Sequence, residues 1–127
     1  MTEPPQAALD ELTQISSQIE SAVLFDDKGK VLAATLRDDR AEWVASSGQR
    51  LFEAATQAGE GEPTQLEAAM DEGSLFVVRD GKTLIAATTP PEPTAGLVFY
   101  DLKSCLRSAA AKPKATRRTQ AKSSGTT

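Results

Sequence analysis

A chain of 127 residues has room for one ordinary domain, and its 39% hydrophobic and 25% charged content lies within the globular range and outside the disordered one. With no histidine and one cysteine, the commonest general base, the commonest metal ligand, an internal disulfide and a cysteine zinc site are all excluded. The formal charge of −4 hides a division: Lys112, Lys114, Arg117, Arg118 and Lys122 account for five of the 14 basic residues, and the nine that remain, set against 18 acids, leave −9 on the chain before Lys112.

After Pro4 and Pro5, the helical spacing of Ala8, Leu12, Ile15 and Ile19, with Leu9 beside them, predicts an amphipathic helix from about Gln6 to about Ser17. The stretch "SAVLFDDKGKVLAATL" comes next, with apolar runs Ala22 to Phe25 and Val31 to Ala34 on either side of a turn holding Asp26, Asp27 and Gly29. This predicts a β-hairpin. Asp38 and Asp39 stand at N-cap positions before a second helix that reaches Gly59.

That helix has more apolar surface than a sheet cover requires. Turning ~100° per residue, Trp43, Ala54, Ser47, Ala58, Leu51, Val44, Ala55, Gly48, Ala41, Phe52 and Ala45 fill one arc of roughly 200°, where covering a sheet takes about 100°. Leu51, near the centre, is predicted to be core. Ala41, Ala45, Gly48 and Phe52 are predicted to form an outer flank that admits a second helix closely, from another subunit unless the first or third helix of the same chain fills it.

The loop "GEGEP" leads into "TQLEAAM", where Leu66, Ala68 and Met70 alternate with Gln65, Glu67 and Ala69 as a strand with one wet face does. "DEG" and "DG" turns then join it to "SLFVVR" and "TLIAATT", a three-stranded antiparallel meander. If the first of these strands is a sheet edge, it can pair with its own copy. The predicted dimer interface therefore comprises Ala41, Ala45, Gly48, Phe52, Gln65, Glu67 and Ala69. After "PPEP", the positions Val98, Leu102, Cys105, Leu106 and Ala109 share one helical face, so a third helix is predicted, although Leu97 to Tyr100 alone would also suit a strand.

"RDGKT", Arg79 to Thr83, ends like a phosphate-binding loop but cannot act as one. Such a loop needs a glycine five residues before Gly81, where Phe76 stands, and must open a helix, whereas "LIAATT" is a strand. Asp80-Gly81 is read as a hairpin turn. The pairs Asp26/Asp27 and Asp38/Asp39 are read as turn and helix-start residues rather than as cation ligands, and Cys105 as a small core residue rather than a nucleophile. No catalytic residue, metal ligand or cofactor site is predicted.

The order helix, two strands, helix, three strands, helix resembles the Roadblock family, which includes dynein light chains and bacterial relatives. The resemblance spans about Gln6 to Ala110 and is carried by "SAVLFDDKGKVLAA", "GSLFVVRDGKTLIAATT" and "GLVFYDLKSCLRSA". It implies an α+β, profilin-like architecture, a five-stranded antiparallel sheet with the middle helix on one face and the terminal helices on the other. It also implies dimerisation through the middle helix and third strand, and a scaffold role in which several bacterial members bind small Ras-like GTPases. The chain is accordingly divided into a Roadblock-like domain, residues 6–111, and a disordered basic tail, residues 112–127, which has no counterpart in the family pattern.

The first functional expectation is a non-enzymatic homodimeric adaptor for a small Ras-like GTPase. The alternative is a binder of nucleic acid or another anionic surface working through the tail, opposed by the acidic body and by the lack of aromatic residues in the tail. The lone cysteine, the start "MTEPPQAALDEL" and the lack of a membrane-length apolar run give a cytoplasmic expectation.

Overall fold

Strands buried at successive positions, such as Ala22 to Phe25, need cover on both faces of a sheet, and among the described residues three helices supply it. The computed structural model describes residues 4–59 and 64–110; most of the predicted loop at 59–63 and the whole tail 112–127 lie outside them. The elements are α1 (Pro4–Ile15), β1 (Ser21–Asp26), β2 (Val31–Ala34), α2 (Asp38–Gln57), β3 (Gln65–Met70), β4 (Gly73–Asp80), β5 (Thr83–Thr89) and α3 (Ala95–Ala110). This is the predicted order, and the region from Leu97 to Tyr100 is helical.

The strands form one antiparallel sheet in the order β2-β1-β5-β4-β3, closed in the middle by β1 pairing with β5 from Ser21↔Thr88 to Asp26↔Thr83. Side-chain alternation sorts the core into two layers. Leu24, Phe76, Val78, Ile85 and Ala87 pack under α1 and α3 with Leu9, Leu12, Val98, Leu102 and Leu106. Phe76 also meets Phe99 of α3 edge to face, ring centroids 5.0 Å apart. On the opposite face Val23, Phe25, Val77, Leu84 and Ala86 pack under α2.

Several boundaries differ from the predicted ones for local reasons. α1 already includes Pro4 and Pro5, ahead of the predicted start at Gln6, which a first turn tolerates because proline's missing N–H is an orphan there anyway. Ile15 leaves the predicted stripe: Ala8, Leu9 and Leu12 are buried, whereas Ile15 is 63% exposed at the helix end. The residue capping α2 is Arg37, with no side-chain cap bond, so Asp38 and Asp39 occupy the first turn, where carboxylates complement the helix dipole.

The β4–β5 turn also shifts by one residue. Asp80 pairs with Thr83, so the two turn residues are Gly81 and Lys82, and the glycine takes φ +64° in the first central position of a II′-type hairpin. Arg79 Nε donates to the Gly81 carbonyl at 2.9 Å. The Gly-Lys-Thr triplet is a hairpin tip that opens no helix.

Candidate interaction surface

The seven residues predicted for an interface separate into two groups. Ala41, Ala45, Gly48 and Phe52 are buried against the sheet of their own chain and do not form an outer flank. The physical reason is closeness: a Cβ added at Gly48 would stand 3.2 Å from Val77 Cγ2 and 3.3 Å from Ala86 Cβ and Phe25 Cζ, so the small residues let the helix backbone settle onto the strands. Gln65, Glu67 and Ala69 are at least partly exposed on β3, which is a sheet edge.

The surplus of the arc therefore lies at its other end. Trp43 is 63% exposed, Ala54 is exposed, Ser47 is half-buried, and Leu51 is only partly buried at the margin of the core rather than at its centre. α2 packs chiefly on β1, β2 and β5 and reaches β4 at its margin. Leu66 of β3 and Leu75 of β4 point to the α2 side of the sheet and are incompletely covered there, with Ala68, paired to Leu75, beside them. Between Trp43 and this part of the sheet runs a cleft of about 160 Å³ lined by Leu75, Ser74, Thr88 and Thr89, with Glu20 and Glu72 at its rim. An aromatic residue beside aliphatic strand residues and a strand edge that is unpaired among the described residues form one continuous surface suited to protein contact.

Trp43, Leu66 and Leu75 were not singled out by their positions in the sequence. The available signal was size: a Gly/Ala-rich stripe marks where a helix must approach a neighbour closely, and a sheet is the nearest neighbour α2 has. The large residue at the opposite end of the arc is then the one left over.

The remaining polar groups have local roles. Asp26 Oδ1 accepts the backbone N–H groups of Lys30 and Lys28, each at 2.9 Å, and these bonds, Lys30 first, hold its carboxyl below the usual range. Asp39 Oδ1 accepts from Arg40 N at 2.9 Å. The Cys105 thiol is buried between α1 and α3, and burial, with a smaller contribution from Glu11, pushes it up to about 12. Among the described residues no group of three or more His, Cys, Asp or Glu is placed to hold a metal ion, and no helix is long and apolar enough to cross a membrane.

The family model described as "Roadblock/LC7 domain" matches residues 5–89. The chain is similar to a Roadblock/LC7 domain from Streptomyces avermitilis, with TM-score 0.74 and 24% identity over 81% of this chain and 92% of that one. It is also similar to MglB of Myxococcus xanthus, with TM-score 0.64 and 19% identity over 82% and 89%, and another MglB structure of this fold has a tetrameric arrangement. A profilin from Schizosaccharomyces pombe aligns at TM-score 0.55 and 14% identity over 78% and 90%. At these identities the likeness establishes the shared profilin-like fold. No curated protein sequence matches the chain.

Proposed function

The chain belongs to the Roadblock/LC7 family, and from that premise we propose that it is a non-enzymatic homodimeric adaptor that acts in the cytoplasm and binds a small Ras-like GTPase. The observation that carries this reading is the uncovered surface made by Trp43, Leu51, Leu66 and Leu75 beside the β3 edge. In an isologous dimer each α2 lies over the exposed part of the other subunit's sheet while the two β3 edges pair, so one two-fold axis covers both liabilities. Each Trp43 then fills a cleft rather than standing in water, the kind of aromatic anchor that dominates such contacts.

A dimer of this kind presents a broad two-fold platform to a third protein, and the GTPase is the partner that the family resemblance implies. The reading is tested by light scattering and then by capture. The expected results are twice the 13.5 kDa chain mass at micromolar concentration, and retention of a GTPase from the same organism in one nucleotide state over the other. A monomer at high concentration overturns the dimer, and capture that ignores the bound nucleotide, or fails altogether, overturns the GTPase assignment.

A further inference from the structure

The face of the molecule opposite α2 carries a second surface, which the dimer does not use. Gln18 Oε1 accepts from Thr94 N at 2.6 Å, so α3 starts where α1 has ended and the two helices lie antiparallel side by side. Between their outer sides runs a groove of about 170 Å³, bounded by Ala8, Glu11 and Ile15 on α1 and by Asp101, Ser104 and Ser108 on α3, over a floor of Leu12 and Cys105. One carboxylate stands on each wall and, among the described residues, none that lines the groove is basic, although Arg107 approaches its rim by donating to Ser104 Oγ at 3.3 Å. Ile15, exposed at the far end, adds an apolar contact.

The described chain ends at Ala110, within a turn of Ser108 and thus at the mouth of this groove. Residues 112–127, just beyond, hold five basic residues and no acid. The sequence predicts a helix break beyond Ala110, because Pro113 lacks the N–H that a continuing helix uses and disfavours helical geometry in the residue before it. From Ser108 back to Asp101 is ~10 Å along the α3 axis at 1.5 Å per residue. Extended chain covers that in about three residues at ~3.3 Å each, so a chain turning back near Lys112 is long enough for the stretch from Lys114 to Arg118 to reach Glu11 and Asp101.

We propose that the groove between α1 and α3 is the docking site of this chain's own basic segment, residues 112–127, held against Glu11 and Asp101 within the same subunit. Tethering at Ala110 supplies a high effective concentration, so individually weak charge contacts suffice for occupancy at low ionic strength and are lost when salt screens them. The proposal does not depend on the dimer, because the groove and the tether belong to one chain. Its consequence is that the positive charges are withheld from anionic partners at low salt.

Backbone amide NMR spectra of the full chain and of a chain ending at residue 111 test this. The expected differences at low salt centre on Glu11, Ile15, Asp101 and Ser104, do not depend on protein concentration, and vanish in high salt. Trypsin should cut the Lys112–Lys122 stretch several-fold faster in the Glu11→Gln/Asp101→Asn double variant than in the parent at low salt, and equally fast in high salt. Perturbations that fall on α2 or β3, that grow with concentration as a contact between chains would, or that are absent, each overturn the proposal. Equal cleavage of parent and variant at low salt does the same, and circular dichroism confirms that the variant is folded.

Discussion

Gly48 and Cys105 show how single positions carry the packing. Gly48 has its three nearest non-helical neighbours at 3.2 to 3.3 Å from where a Cβ would be, all of them core side chains on the sheet. Gly48→Val should therefore destabilise the chain by about 1 to 3 kcal/mol through overpacking, read as a lower urea midpoint with an unchanged slope. Cys105 is a buried thiol whose folded-state value is raised from 9.0 to about 12. The folded protein holds this proton where the unfolded chain has lost it, so the effect is absent well below pH 9.0 and grows as pH rises from there toward about 12, because ionisation of the exposed thiol stabilises the unfolded chain. Stability measured across that alkaline range should fall less steeply in Cys105→Ala than in the parent, and native Cys105 should resist alkylation at neutral pH while the unfolded chain reacts.

At the scale of elements, α2 separates two kinds of aromatic residue that the sequence places on one arc. Phe52 is 6% exposed within the cluster beneath the helix, so Phe52→Asp should abolish folding rather than yield a folded monomer. Phe52→Ala should cost about 3 to 5 kcal/mol, and Leu51→Ala, at the margin of the core, should fall below the ~2 kcal/mol typical of a buried leucine. Trp43→Asp changes an exposed side chain and should leave the helical circular-dichroism signal and monomer stability within about 0.5 kcal/mol. Under the proposed dimer it should shift light scattering from two chains to one, and a persistent dimer would move the interface away from α2. Helix and strand boundaries were legible to within two or three residues because the period of 3.6 is strong in α2 and α3 and glycine-containing turns bound the strands of the β3–β5 meander. Which part of the α2 arc meets the sheet was not legible, since periodicity reports that a face is apolar and says nothing of what covers it.

For the molecule as a whole, removing residues 112–127 takes the formal charge from −4 to −9 by subtracting five positive charges. Exposed charge contacts contribute little to stability, so the truncated chain should melt within a few degrees of the parent even with the tail docked, and a larger loss would give the tail a part in the core. Local pattern was enough to establish the element order, the α+β class, the hairpin reading of Gly-Lys-Thr and the core role of Cys105, because each rests on period, turn chemistry or residue inventory. Three-dimensional packing was needed to establish that β1 pairs with β5 to join hairpin and meander into one sheet, and that Gly48 faces strands. It was needed equally to leave Trp43 in water and to set Glu11 and Asp101 on either side of the groove at whose mouth the described chain ends. These are relations between residues far apart in the chain, and they are settled by which surfaces fit closely enough to exclude water, a property that no stretch of sequence holds alone.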